Sequence, residues 1–227
     1  MKSMNIETVS AKGKDIKIER DAVLKQLDCL SDNPLYPEYI AEYDRLYPEI
    51  IESIEAKAAF GFAPFPDLTG EDTPEAGTEV LFVIATAGKG ISAFIDELFA
   101  KGESMKAMIA DCMANSTYFA FENVLQEKIR EICGRRGTGI SRRFDAPINL
   151  PIEIQKYAFD ILNAGETLNM SITGGFMFNP VKSSCQVYEL SEDTEVFNLS
   201  HDCSKCSKKD CIWRERLSEN DNKGDQS

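Results

Sequence analysis

Three of the seven cysteines fall within nine residues near the C-terminus: Cys203, Cys206 and Cys211, in the run HDCSKCSKKDCIWR. A C-x2-C pair followed five positions later by a third cysteine has metal-ligand spacing, because two thiolates three residues apart can face one cation from a single tight turn. Soft thiolates select zinc, copper(I) or iron–sulfur clusters, and the lone histidine, His201, stands two residues upstream as a possible fourth ligand. Lys205, Lys208 and Lys209 favour thiolate over thiol. The competing reading is a set of unpaired thiols on a loose tail. The expected cofactor is therefore an iron–sulfur cluster or a zinc ion at Cys203, Cys206, Cys211 and His201.

The rest of the 227-residue chain has to position that segment. With 43% apolar residues it can bury a substantial core. No apolar run approaches the ~20 residues of a membrane span, and the polar N-terminus lacks the apolar core of a signal peptide. Seven cysteines, an odd number, argue against a disulfide framework, so a cytoplasmic protein is expected. The net charge of −13 repels nucleic-acid phosphates and anionic membranes, and neither is expected as a partner. Arg135, Arg136, Arg142 and Arg143 are a local exception that could hold one anionic ligand.

Residues 1–17 read as a flexible polar arm, 18–190 as the main domain, 191–217 as a cysteine-rich segment and 218–227 as a disordered tail. Helical stripes are predicted from Lys17 to Leu30, and from Pro37 with a break at Pro48 and a separate helix from Glu49 to Ala59. Residues 60–77 read as loop with at most a short strand. The unbroken apolar run Val80–Ala85 predicts a strand buried on both faces. The Gly88-Lys89-Gly90 turn after it lacks phosphate-loop spacing and reads as a tight turn needing glycine. Ser104–Cys133 is the longest helical stripe, Pro151 opens another helix up to Leu162, and Leu168–Thr173 and Ser183–Leu190 read as strands. An antiparallel sheet flanked by helices follows, of α+β or mixed α/β class. Cys112, Cys133, Cys29 and Cys185 read as core or interface residues without chemistry.

An ordered series of short motifs resembles the stand-alone relatives of the activation (reactivation) domain of cobalamin-dependent methionine synthase. The series is IATAGKGIS, then Ile95-Asp96-Glu97, then Ala110-Asp111-Cys112-Met113-Ala114. It continues with Arg143-Phe144 before Leu150-Pro151-Ile152-Glu153-Ile154-Gln155, the turn Phe176–Ser183, and the cysteine run through Trp213-Arg214. It covers about two-thirds of the chain. The resemblance implies a bent, largely antiparallel sheet flanked by helices. It implies a domain that binds S-adenosylmethionine and supplies the methyl group that traps reduced cob(II)alamin as methylcobalamin, the cobalamin being presented by a partner. Arg143, Thr173, Gly174 and Gly175 would form the AdoMet or corrinoid face, with Arg143 clamping the methionine carboxylate. Two departures bear on this. Pro147-Ile148 stand where the family has a glycine–tyrosine pair, and Gly174-Gly175 where it has an acid and a hydroxyl. Weak or absent AdoMet binding is therefore expected.

Two functions follow. One is a reactivation accessory to a corrinoid protein or cobalamin-dependent methyltransferase such as methionine synthase, docking through the glycine-rich Gly174–Pro180 turn. That turn reads equally as a hairpin packing Phe176 and Phe178 into the core. The other is an iron–sulfur or zinc-bearing electron-transfer or docking subunit that no longer binds AdoMet. A structural zinc staple for the tail fits the same spacing. No Ser-His-Asp set is available, because the single histidine lies in the cysteine run.

Overall fold

The computed structural model describes residues 5–68 and 73–201; Cys203, Cys206 and Cys211 and the tail lie outside the described residues. A five-stranded antiparallel sheet, in the order β1-β2-β3-β7-β4, forms the middle of the molecule. Its strands are β1 (Glu7–Lys12), β2 (Glu55–Pro64), β3 (Glu79–Thr86), β4 (Gly139–Ala146) and β7 (Ser183–Ser191). Helices α1 (Arg20–Gln26), α2 (Tyr36–Ser53), α3 (Lys89–Ala100) and the 33-residue α4 (Ser104–Arg136) pack on one face. On the other lie α5 (Ile154–Ile161), α6 (Ala164–Thr167) and a small hairpin, β5 (Ser171–Ile172) with β6 (Phe178–Asn179). The fold is α+β, as the sequence predicts.

The strand period of two divides the core into two halves. Along β3, Leu81, Val83 and Ala85 join the cluster under α1–α4, while Val80, Phe82 and Ile84 join the cluster under α5 and α6. A strand covered on both faces has no polar side, which explains its unbroken apolar run. On β7, likewise, Tyr188 faces α4 while Cys185 and Val187 face α5. The long helix α4 ends where Gly137 adopts the left-handed region (φ 72°), and Thr138 N–H returns to the Cys133 carbonyl at 3.1 Å.

Five segments differ from the sequence-based expectation. Residues 7–12 are not an arm: β1 pairs with β2 from Glu7↔Phe60 to Lys12↔Glu55. α2 runs through Pro48 to Ser53, held by buried Tyr43, Leu46 and Ile50. Glu55–Pro64, alanine-rich and read as helix then loop, is strand β2, because β1 and β3 satisfy its backbone on both sides and override local propensity. Gly139–Ala146, for which the sequence pattern predicts no element, is strand β4. Residues 193–199 pack against the main domain rather than separating from it. Val196 O accepts from Ile140 N–H at 2.7 Å and Asn198 N–H donates to Ile140 O at 3.0 Å, covering the outer edge of β4. Leu199 is buried in the core as a result.

Candidate functional site

The covered edge of β4 carries the most concentrated buried polar chemistry among the described residues. Arg143 and Asp145 sit two residues apart on β4, so both project from one face, toward α4. Register places Tyr188 opposite Arg143 and Gln186 opposite Asp145. Tyr118 and Glu122, four residues apart on α4, close the cluster from above.

Arg143 is the hub. Its Nη2 and Nε donate to Asp145 Oδ1 at 2.8 and 3.0 Å, and its Nη1 donates to the Leu199 carbonyl at 3.0 Å and to Glu122 Oε1. Gln186 donates to Tyr118 Oη at 2.9 Å and to Glu122 Oε2 at 3.3 Å, and accepts from the Tyr188 hydroxyl at 2.9 Å. The Tyr118 and Ser184 hydroxyls share a hydrogen bond. Asp145 also meets His201, with Nδ1 to Oδ2 at 2.7 Å. An ionised carboxylate can only accept, so Nδ1 carries the proton and the Nδ1–H tautomer or the imidazolium is selected.

The electrostatics follow from burial and pairing. Burial drives the Asp145 carboxyl upward, but the Arg143 charge and the His201 and Arg143 hydrogen bonds outweigh it and hold the group below the ordinary aspartate range. Burial likewise opposes the Arg143 charge, and Glu122, Tyr188 and Asp145 overcome it. Burial pushes the Tyr118 and Tyr188 phenols up, so both stay neutral hydrogen-bonding groups. Two carboxylates thus face one guanidinium in a dry setting.

Three pieces of the motif series, the β3 turn, Asp111 and Lys182-Ser183, meet in a second polar knot. Thr86 Oγ1, at the end of β3, accepts from Gly88 N–H at 3.1 Å and from Ser183 Oγ at 2.8 Å. Lys182 Nζ donates to Asn115 Oδ1 and pairs with Asp111, each at 2.8 Å, tying the turn before β7 to α4. The glycine turn is tight as expected: Gly88 has φ 96°, and a Cβ on Gly90 would lie 2.4 Å from the Ser53 carbonyl oxygen. A cleft of about 300 Å³ lies beside it, lined by Lys57 and Lys89 but also by Glu52 and Glu55. That mixed lining is not the cationic cradle a phosphate wants.

The sequence-predicted site residues do not come together. Arg143 faces α4, with its donors engaged inside the protein. Thr173, Gly174 and Gly175 are exposed on the hairpin on the opposite layer, where Phe178 packs into the α5-side core. Thr173 organises that hairpin: its N–H donates to Met177 O at 2.9 Å and its Oγ1 accepts from Met177 N–H at 3.1 Å. Phe178 is buried as the hairpin reading expects, whereas Phe176 is half-buried with φ 62° and Met177 and Val181 are exposed. Of the four proposed metal ligands, His201 is described, and no group of three metal-capable side chains gathers among the described residues. Glu122, Asp145, Gln186, Tyr188 and Tyr118 escaped the sequence reading. The available signal was Arg143-x-Asp145 on one strand face, with Gln186 and Tyr188 as polar residues alternating within a buried strand.

No helix among the described residues is long and apolar enough to cross a membrane. No known family profile matches the chain, and no curated protein matches it in sequence. In three dimensions the chain is similar to the crystal structure of the MetH reactivation domain bound to AdoHcy. The TM-score is 0.60 at 12% identity, over 88% of this chain and 82% of that one, so the two share a fold.

Proposed function

We propose that this protein is an accessory of a corrinoid-dependent methyltransferase, assisting the return of cob(II)alamin to its methylated state. The observation that supports this most is the shared fold with the MetH reactivation domain, over 88% of this chain and 82% of that one. The ordered motif series agrees with it: the β3 turn, Asp111 on α4 and Lys182-Ser183 form one hydrogen-bonded unit. A cobalamin presented by the partner would supply the chemistry, accepting an electron from an external donor and a methyl group from S-adenosylmethionine, with S-adenosylhomocysteine as the product released. The protein's contribution is to dock and position, since the corrinoid carries the hard chemistry. The exposed Gly174–Met177 turn is the proposed docking element. Neither glycine has a positive φ, and a Cβ at either would meet no atom closer than 3.9 Å, so nothing inside the described protein requires glycine there.

The test is a reconstituted mixture of a cob(II)alamin-loaded methyltransferase, a one-electron reductant and AdoMet. Adding the protein should speed loss of the cob(II)alamin absorption. Gly175→Arg, which the open turn accommodates, should remove that effect with an unchanged circular dichroism spectrum. No acceleration by the wild-type protein with any corrinoid partner would overturn the reading.

A second reading is a docking or electron-transfer subunit that no longer uses AdoMet. It is favoured by the engagement of Arg143 with Glu122, Asp145 and Leu199, which leaves the guanidinium committed inside the protein. In the reconstituted mixture such a subunit would accelerate cobalt reduction equally with and without AdoMet.

A further inference from the structure

The cleft of about 300 Å³ beside the glycine turn carries both signs of charge. Glu52 reaches it from the end of α2, Glu55 and Lys57 from the start of β2, Lys89 from the start of α3, and Leu168 and Asn169 from the segment after α6. We propose that this cleft binds a small zwitterion of the α-amino-acid type. Lys89, with Lys57 beside it, would hold the carboxylate, and Glu52, with Glu55, the ammonium.

The first observation is that the charges are incompletely answered within the protein. Lys89 Nζ donates to Asn169 Oδ1, a neutral acceptor, at 2.9 Å. Neither Lys89 nor Glu52 makes an ion pair among the described residues. Glu55 and Lys57 meet at 3.4 Å with side chains 67% and 40% exposed, a loose contact of little strength. A simple anion entering here would meet two carboxylates, and a simple cation two ammonium groups. A ligand carrying both charges answers both.

The second observation is that the charged elements are held at a fixed spacing. The Glu55 N–H donates to the Ala87 carbonyl at 3.2 Å. A Cβ on Gly88 would fall 2.8 Å from the Glu55 carbonyl oxygen, and one on Gly90 2.4 Å from that of Ser53. The backbone that carries Lys89 is therefore pressed against the backbone that joins Glu52 to Glu55, and the site is organised before a ligand arrives.

The remaining lining agrees. α3 starts at the cleft with no side-chain cap and no acidic residue in its first turn, so its positive end adds to the charge of Lys89. Alone, that helix end would draw any anion; Glu52 and Glu55 are what make the site dipolar. Leu168, which is buried, gives the cleft an apolar stretch of wall for a ligand side chain. The volume is at the small end of ligand sites, which suits a molecule of amino-acid size. Strands β3 and β7 separate the cleft at β2 from Arg143 on β4. The proposal is thus independent of the reactivation reading, and either can fail while the other stands.

The probe is L-leucine, titrated into the isotope-labelled full chain at neutral pH and low salt and followed by two-dimensional amide NMR. Saturable shifts are expected at Gly88, Lys89 and Gly90, with half-saturation in the millimolar range. Leucinamide lacks the carboxylate and N-acetyl-leucine lacks the ammonium, so each should bind several-fold more weakly. Glu52→Gln should weaken leucine and leucinamide by about three- to fivefold and leave N-acetyl-leucine as tight or tighter. Lys89→Gln should do the converse, weakening leucine and N-acetyl-leucine but not leucinamide. Both side chains are exposed, so the variants keep the fold, and the crossed pattern cannot arise from general loss of structure. Three results overturn the proposal: no saturable shift from leucine at these amides, leucinamide or N-acetyl-leucine binding as tightly as leucine, or both variants weakening all three probes alike.

Discussion

Gly139 lies directly beneath Asp193: a Cβ built on Gly139 would fall 2.1 Å from the Asp193 carbonyl oxygen and 2.5 Å from that of Val196. The segment covering the β4 edge can approach only because the first residue of β4 has no side chain. Gly139→Ala should therefore lift residues 193–199 off the strand and lower stability by about 2–3 kcal/mol in urea unfolding. Gly134→Ala is the contrast. It sits within α4 with nothing within 4 Å of its missing Cβ, and should stabilise by roughly 0.5–1 kcal/mol through helix propensity.

The Arg143 cluster makes an acid-side prediction. The Asp145 carboxyl is depressed in the folded state, so its stabilisation is present above the ordinary aspartate value of about 3.9. It drains away as pH falls below that value toward the folded pKa. Asp145→Asn should lower stability at neutral pH by about 3 kcal/mol, because Arg143 loses a buried partner. The stability-against-pH curve of the variant should be flatter below about pH 4 than that of wild type. Parallel curves would show that Asp145 is not a source of the acid sensitivity.

Thiol reactivity should divide the cysteines. Burial raises the Cys29 and Cys185 thiols and pushes Cys112 and Cys133 up to about 11, so all four are protonated and slow at mildly alkaline pH. A disulfide reagent on native, metal-free protein should titrate three thiols quickly and the remaining four of the seven only after denaturation. Peptide mapping should place the three fast ones at Cys203, Cys206 and Cys211. Fast labelling of Cys133 or Cys185 would contradict the packing described above.

AdoMet should bind weakly or not at all. Arg143 is engaged by two carboxylates and a carbonyl, and Ile148 stands exposed where an aromatic residue is expected by the resemblance. Calorimetry should find no affinity tighter than tens of micromolar, on the order of 6 kcal/mol. Submicromolar binding would mean that Arg143 exchanges its internal partners for the ligand carboxylate.

Some of this protein was determined by local sequence alone. The unbroken apolar run of β3 announces a strand buried on both faces, and the long stripe of α4 announces the helix that covers it. Gly88 and Gly90 announce a turn pressed against a neighbouring backbone. Each is legible because its cause is local: a period, a run, a residue without a side chain. Tertiary structure decided the rest. Glu55–Pro64 carries alanines that favour a helix, and becomes a strand because β1 and β3, both distant in sequence, satisfy its backbone. Arg143 reads alone as a hand for an anionic ligand. In the fold it is answered by Glu122 from α4, Asp145 from its own strand and the carbonyl of Leu199, none of which can be paired with it before the layers are assembled. His201 reads as an appendage of the cysteine run, and only the wrapping of residues 193–199 along β4 delivers it to Asp145. Electrostatic partnerships depend on which chain segments burial brings within 3 Å, and that distance is a property of the packed layers rather than of any window of sequence.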